Sequence, residues 1–202
     1  LYHGPKSCSV AVKAVLNTIG VEHEIRAVNL MEGEHLQEAY LKINPLAKVP
    51  SLSIDGNVLT EGGAILSYLA ETYPSAELMP PVGSSNRAQA QRWLFLMYTT
   101  INPLYGRIFI PNRYHEDVEQ VKANAEPELL KVFSLIDEQL GKTKFIADDV
   151  PTLADYYLLV AINWEFVLSK PLTGEFKNVA AYKERMMSIP KIKEVFEEEF
   201  GQ

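Results

Sequence analysis

The 202-residue chain contains a single cysteine, Cys8, and that scarcity removes several classes of protein at once. No intrachain disulfide, cysteine-based zinc cluster or C-x-x-C dithiol couple can form, and a lone thiol suits a reducing compartment. Positive charge is also short. Nineteen Lys and Arg face twenty-six Asp and Glu, a formal net charge of −7, which argues against a general binder of nucleic-acid backbones or of anionic membranes. No apolar run approaches the roughly 18 residues that a membrane-spanning helix needs. Leu1-Tyr2-His3-Gly4-Pro5 lacks the basic end and apolar run of a secretory signal, and reads instead as part of a first strand. Internal repeats and low-complexity tracts are missing too, which excludes solenoids and arrays.

What is present divides by periodicity. Up to about residue 73 short strand-like runs alternate with helical ones, whereas from about residue 85 onward only helical periodicity occurs. A strand at Leu1-Tyr2-His3 ends at the Gly4-Pro5 breaker pair, and apolar residues at 11, 12, 15, 16 and 19 predict a helix over Val10 to Ile19 that Gly20 stops. Glu24 to Val28 alternates like a strand and Leu36 to Lys42 reads as a short helix. Val49 to Ile54 and Val58 to Thr60 flank Asp55-Gly56-Asn57 as a hairpin, and Gly62 to Thr72 reads as a helix. The result is a βαβ unit followed by ββα, built on a small mixed sheet. Pro, Gly and Ser between Pro74 and Ser85 mark a linker. Helices are expected over Arg87 to Ile101, Val118 to Leu140, Leu153 to Leu168, Val179 to Met187 and Lys191 to Phe200. The expected fold is therefore α+β, with an N-terminal βαβ-ββα domain over 1–75, a linker over 76–84 and an all-α helical bundle over 85–202.

Three segments carry chemistry. Cys8 opens a helix just after a strand, a position where unpaired backbone N–H groups and the helix dipole favour a thiolate, with Lys6 adding positive charge. Ser7 and Ser9 flank it. In Asn44-Pro45-Leu46-Ala47-Lys48-Val49-Pro50 a loop runs into a strand; a cis bond before Pro50 leaves the Val49 backbone free to pair with an extended peptide. At Thr60-Glu61-Gly62-Gly63-Ala64 a strand ends and a helix begins, so small residues admit a ligand to the backbone, N–H groups meet a carboxylate, and Glu61 meets an ammonium.

In order and spacing these segments resemble the glutathione transferase superfamily, over essentially the whole chain. Leu-Tyr-His-Gly-Pro-Lys-Ser-Cys-Ser is similar to its catalytic loop, Lys48-Val49-Pro50 to its cis-proline loop and Thr60-Glu61-Gly62-Gly63-Ala64-Ile65 to its Glu-Ser-x-Ala-Ile motif. Thr152-Leu153-Ala154-Asp155 is similar to the box that starts a helix in the family's α-helical domain. The resemblance implies a thioredoxin-like domain over 1–75 that binds glutathione as co-substrate, no metal, a helical domain that receives a small electrophile, a homodimer, and a cytoplasmic location. It places the γ-glutamyl carboxylate at Gly62, the ammonium near Glu61, the cysteinyl backbone against Val49 and Pro50, and the glycine carboxylate near Lys48 and His35. Gly62 stands where the family usually has Ser, which removes a hydroxyl donor but keeps the backbone N–H.

Two chemistries fit this loop. Ser7 aligns with the serine hydroxyl of theta, delta and phi members, which implies conjugation; Cys8 aligns with the cysteine of bacterial beta-like members, which implies thiol-disulfide exchange. Tyr2 lies too early for the tyrosine of the mammalian classes. We expect Cys8 nearest the sulfur, with Ser7 or Ser9 as second donor, although neighbours in a first helical turn point about 100° apart and one of Ser7 and Cys8 faces the ligand better. Tyr98, Asn102, Tyr105 and Trp164 are the candidates for an electrophile pocket, with Pro103 bending or ending their helix. A non-enzymatic interaction protein of the stringent-starvation type and a glutathione-dependent isomerase are the competing readings. Against the isomerase, Val10, Ala11 and Val12 replace the Trp and paired arginines that follow the Ser-Cys run there.

Overall fold

The computed structural model describes residues 1–201, which separate into two compact units. One runs from Leu1 to Met79 and takes in the chain from Met187 onward; the other is Pro80–Met186.

The first unit is built on a four-stranded mixed sheet. Strands β1 (Tyr2–His3), β2 (Arg26–Ala27), β3 (Ser51–Ile54) and β4 (Asn57–Thr60) lie in the order β2-β1-β3-β4, with β1 parallel to β2 and β3 antiparallel to β1 and β4. Helix α1 (Ser9–Ile19) crosses over between β1 and β2 and buries Val10, Val12, Val15 and Leu16; Gly20, at φ 78°, ends it by donating to the Leu16 carbonyl. The expected strand over Glu24 to Val28 contracts to two residues, because β1 offers only Tyr2 and His3 to pair with. The expected helix from Leu36 to Lys42 is interrupted as well. A 3₁₀ turn over Glu34–Leu36 stops at Gln37, whose backbone is extended, before α2 (Glu38–Leu41) buries Tyr40. The hairpin turns on Asp55 and Gly56 alone, both at positive φ as a two-residue type I′ loop requires, and Asn57 is already paired with Ile54. Helix α3 (Gly62–Thr72) completes this segment, burying Ile65, Leu66 and Leu69.

The second unit is helical. Helix α4 (Ser85–Leu96) is capped by Ser84, which accepts from the Arg87 N–H. It runs through a π-helical turn at Met97–Ile101 straight into α5 (Asn102–Phe109). Pro103 does not end the helical run, since helical backbone continues through it. Its missing N–H deprives the Thr99 carbonyl of the usual partner, and the turn widens so that the Asn102 N–H donates five residues back to Met97. Helix α6 (Val118–Leu140) buries Ala125, Leu129, Phe133, Ile136 and Leu140 along one stripe. Helix α7 (Leu153–Asn163) is buried along its whole length and gives way at Trp164–Val167 to a 3₁₀ turn, five residues before the helix end expected at Leu168. Helices α8 (Leu172–Glu175) and α9 (Lys177–Met187) follow, the latter held at its start by the Asp137 carboxylate, which accepts from the Asn178 and Val179 N–H groups.

Helix α10 (Pro190–Phe200) packs on α1 in the first unit, whereas the sequence placed it with the bundle. Ile192, Val195 and Phe196 bury its apolar stripe, Asn17 donates to the Lys191 carbonyl, and Lys191 returns a bond to the Thr18 carbonyl. Glu199 then reaches the sheet. Burial opposes its ionisation, but bonds from His3, Lys13 and the Lys6 N–H outweigh that and hold the carboxyl down at about 2, against 4.5 for an ordinary glutamate. A depressed acid stabilises the fold above its unfolded pKa, so this contribution is full above pH 4.5 and is lost as pH falls towards 2. We expect acid melting curves to show this loss, worth about 3 kcal/mol, and a Glu199→Gln variant to lack that step in melting temperature against pH.

Candidate active site

The site begins where the chain leaves β1. Gly4 is buried, and a Cβ on it would lie 2.7 Å from Leu30 Cδ1 and 3.1 Å from Val49 Cγ2, so a larger residue there requires those side chains to give way. The loop turns through Lys6 at φ 57° and places Ser7, half-buried, ahead of α1. The Ser7 hydroxyl is 2.7 Å from the Gly4 carbonyl and 2.7 Å from Ser9 Oγ, and its oxygen accepts the Ser9 N–H. Ser9 is fully buried, with Oγ 2.7 Å from His3 Nδ1 and accepting the Gly4 N–H, so it lies behind Ser7 rather than facing a ligand as the sequence allowed.

Cys8 departs from expectation in its chemistry. Its thiol donates to the Val49 carbonyl at 3.2 Å, and burial pushes it up to about 11. Backbone N–H groups at the head of α1 and Lys48 act in the opposite direction, and Glu61 reinforces burial. The helix N-terminus is therefore outweighed by desolvation, and Cys8 is held as a neutral thiol. Iodoacetamide is expected to label Cys8 about 100-fold more slowly at pH 8 than a free cysteine, as read by mass spectrometry of quenched time points; labelling at the rate of a free thiol would overturn this assignment.

The facing wall comes from the loop before β3 and the head of α3. The Val49–Pro50 bond is cis, both residues are buried, and Lys48 is exposed. The Lys48 carbonyl accepts from Tyr40 Oη at 2.7 Å and Asn44 Nδ2 at 2.8 Å, which fixes the loop from inside. Glu61 is exposed at φ 65°, a conformation costing a non-glycine residue about 1–3 kcal/mol, and Gly62 is the buried first residue of α3. The N–H groups at the start of α3 have no carbonyl in their own helix to bond. His35 lies on the 3₁₀ turn, with its Nδ1 buried and without a hydrogen-bond partner among the described residues. The structure thus joins Cys8 to Val49 directly and sets Lys48 and Glu61 near enough to act on the thiol.

In the second unit Tyr98 lies in the π-helical turn, its ring 4.4 Å from that of Tyr157. Tyr105 and Trp164 are core residues rather than open lining: both are buried, their rings meet at 5.0 Å, and Tyr105 Oη donates to the Ala161 carbonyl. Asn102 is half-buried at the start of α5. The accessible face of this cluster is Phe109 and Phe166, both exposed, with Phe109 edge-on to Trp164. Sequence reasoning passed over these two, and over His3 and Glu199 in the first unit. An aromatic at a helix end carries no mark of exposure, and 196 positions separate His3 from Glu199.

No helix among the described residues is long and apolar enough to cross a membrane, and among them no group of three or more His, Cys, Asp or Glu is placed to hold a metal ion. A mixed βαβ-ββα sheet unit, whose loops converge on a thiol, a cis-prolyl loop and a helix N-terminus, followed by a helical unit, defines a thioredoxin-like domain joined to an all-α domain. Known proteins agree. The family model described as the glutathione S-transferase N-terminal domain matches residues 1–71, and that of the C-terminal domain matches 92–190. The chain is 30% identical over 202 residues to glutathione S-transferase GstA of Escherichia coli O157:H7, covering 98% of each. It superposes on a glutathione transferase from Methylococcus capsulatus with a TM-score of 0.87 at 30% identity, covering 98% of this chain and 97% of that one. A sphingomonad glutathione S-transferase complexed with glutathione gives 0.87 at 26%, covering 98% of both. The chain belongs to the glutathione S-transferase family and is a glutathione transferase.

Proposed function

We propose that this enzyme binds glutathione against the Val49, Glu61 and Gly62 wall and activates its thiol chiefly through the Ser7 hydroxyl, for transfer to a small apolar electrophile. The observation that carries this choice over Cys8 is the Cys8 thiol itself, raised by burial and already donating to the Val49 carbonyl. A group held neutral makes a poor partner for a second thiolate, whereas a hydroxyl donor stabilises the charged form of a bound thiol and lowers its pKa. The γ-glutamyl carboxylate is assigned to the N-terminus of α3 and its ammonium to Glu61. The cysteinyl backbone is assigned to Val49, and the glycine carboxylate to Lys48 and to His35, whose unpaired Nδ1 supports that role. The exposed rings of Phe109 and Phe166, with Tyr98 and Asn102, offer an apolar surface suited to the electrophile. Pairing of two copies, a cytoplasmic location and a role in detoxification are inferred from the family resemblance.

The test is direct. The protein is expected to be retained on immobilised glutathione, to eluate with millimolar free glutathione, and to conjugate glutathione to an activated aryl halide. Cys8→Ala should keep most of that conjugation and lose mixed-disulfide formation with oxidised glutathione. Failure to bind glutathione at millimolar concentration would overturn the reading, and a Cys8→Ala variant inactive in conjugation would return the role to the thiol.

A further inference from the structure

Behind Ser7 lies a continuous chain of short hydrogen bonds. Ser7 Oγ is 2.7 Å from Ser9 Oγ, Ser9 Oγ is 2.7 Å from His3 Nδ1, and His3 Nε2 is 2.8 Å from Glu199 Oε1. Three elements supply it: β1 carries His3, the head of α1 carries Ser9 and α10 brings Glu199 from the end of the chain. Ser9 is 0% exposed, His3 3% and Glu199 7%, so no substrate reaches the Glu-His-Ser array as a nucleophile. Only Ser7, at its outer end, is partly open.

The direction of the protons follows from donors and acceptors. Glu199 is ionised and already accepts Lys13 Nζ at 2.6 Å on Oε1 and the Lys6 N–H at 3.0 Å on Oε2. A carboxylate only accepts, so His3 Nε2 carries a hydrogen. In the tautomer with its ring hydrogen on Nε2 alone, Nδ1 is an acceptor, and the Ser9 hydroxyl donates to it. Ser9 Oγ, which also accepts the Gly4 N–H, keeps one lone pair for the Ser7 hydroxyl. The Ser7 hydroxyl hydrogen has two acceptors at 2.7 Å, the Gly4 carbonyl and Ser9 Oγ, and with it on Ser9 the chain runs from Ser7 inward to Ser9, His3 and Glu199.

We propose that His3, backed by Glu199, is the proton acceptor for the glutathione thiol, reached through Ser9 and Ser7. The inference rests on the reading that Ser7 faces the sulfur. The S–H bond breaks as its proton passes to Ser7 Oγ, the Ser7 hydroxyl proton passes to Ser9 Oγ, and the Ser9 proton passes to His3 Nδ1. One thiol proton is lost and one Nδ1–H bond forms, leaving a thiolate outside and an imidazolium against the Glu199 carboxylate. Every bond then points outward, and Ser7, now accepting from Ser9, donates to the thiolate as a polarised chain does most strongly. The charged groups around His3 are Glu199 from α10 and, beyond it, Lys13 from α1, which is itself paired with Glu198 at 2.9 Å. Lys13 opposes a second positive charge nearby; the direct contact with Glu199 and the counter-charge of Glu198 offset it.

The experiment counts protons. Glutathione is mixed with the full-length enzyme at pH 7 in weak buffer with a pH indicator, while thiolate is followed by its ultraviolet absorbance. The relay predicts thiolate formation with well under one proton released per thiolate, because the proton stays on His3. Ser9→Ala cuts the path while leaving His3, Glu199 and Lys13 joined, and is expected to release about one proton per thiolate and to form it about one pH unit higher. Glu199→Gln removes the counter-charge and should lower kcat/KM about 10-fold at pH 7, with recovery at higher pH that a merely structural loss would not show. Release of one proton per thiolate by the unaltered enzyme, or retention by Ser9→Ala, overturns the relay. A Ser7→Ala variant with undiminished thiolate instead overturns the reading of Ser7, so the two failures are separable.

Discussion

Ser7→Ala is expected to lower kcat/KM for conjugation about 100-fold and to raise the pH at which bound glutathione becomes thiolate by about two units. A hydrogen bond to an ionised group contributes about 1.5–3 kcal/mol, and at Ser7 it exists only once the thiol has lost its proton, so its loss falls on reactivity more than on affinity. KM for glutathione should change little, since the proposed binding mode assigns the peptide to Val49, the head of α3 and Glu61. The fold should tolerate the change: the alanine gives up bonds to Gly4 and Ser9 at a half-buried position. Steady-state kinetics with glutathione varied at saturating electrophile separates the two parameters. A variant whose kcat is unchanged while KM rises would mean that Ser7 positions the peptide rather than activating the sulfur.

Asp155→Ala is expected to cause the largest loss of stability, about 4 kcal/mol at pH 5 and about 10 °C in melting temperature. Asp155 is fully buried at the start of α7, and its carboxylate collects four donors. Oδ1 accepts from the Ile146 N–H at 2.8 Å and Tyr182 Oη at 3.1 Å; Oδ2 accepts from the Thr152 N–H at 2.7 Å and Thr152 Oγ1 at 3.0 Å. Alanine strands the Ile146 and Thr152 N–H groups and the Thr152 hydroxyl in a dry interior, leaves Tyr182 Oη only the Asp155 backbone carbonyl, and removes the N3 half of the capping box that starts α7. Burial nonetheless outweighs those four bonds and raises the Asp155 carboxyl to about 6, from 3.8. A raised acid favours the fold below its unfolded pKa, and that contribution is lost as pH rises through about 6, so the penalty of Asp155→Ala should be smaller at pH 8 than at pH 5. Denaturant titrations of both proteins at the two pH values decide it, and a penalty that grows with pH would contradict the sign.

Helices with a strong stripe and a clear stop were legible: α1 ends at Gly20, α3 runs from Gly62 to Thr72 and α6 from Val118 to Leu140, as periodicity predicted. The strand expected over Glu24 to Val28 was overextended, since a strand lasts only as long as its neighbour and β1 offers two residues. Pro103 does not end its helix, because a breaker within a helix can be absorbed by a wide turn, which depends on what surrounds it. At the candidate site, Ser7, Cys8, Val49, Glu61 and Gly62 could be named from loops at element ends, where binding residues concentrate.

Residue order alone determined the division between a mixed sheet segment and a helical one, the family, and the loops that carry the chemistry, because periodicity, breakers and motif spacing are local properties of the chain. Only the tertiary structure decided the surroundings of the titratable groups on those loops. The helix N-terminus that should lower the Cys8 thiol is a local feature, but the burial that raises it is not. The Glu199 carboxylate behind His3 comes from the far end of the chain, and α10 belongs with α1 because its apolar stripe and its carboxylate find their partners there. Desolvation and pairing across 196 positions depend on which groups are brought together in space, and no spacing along the chain records that.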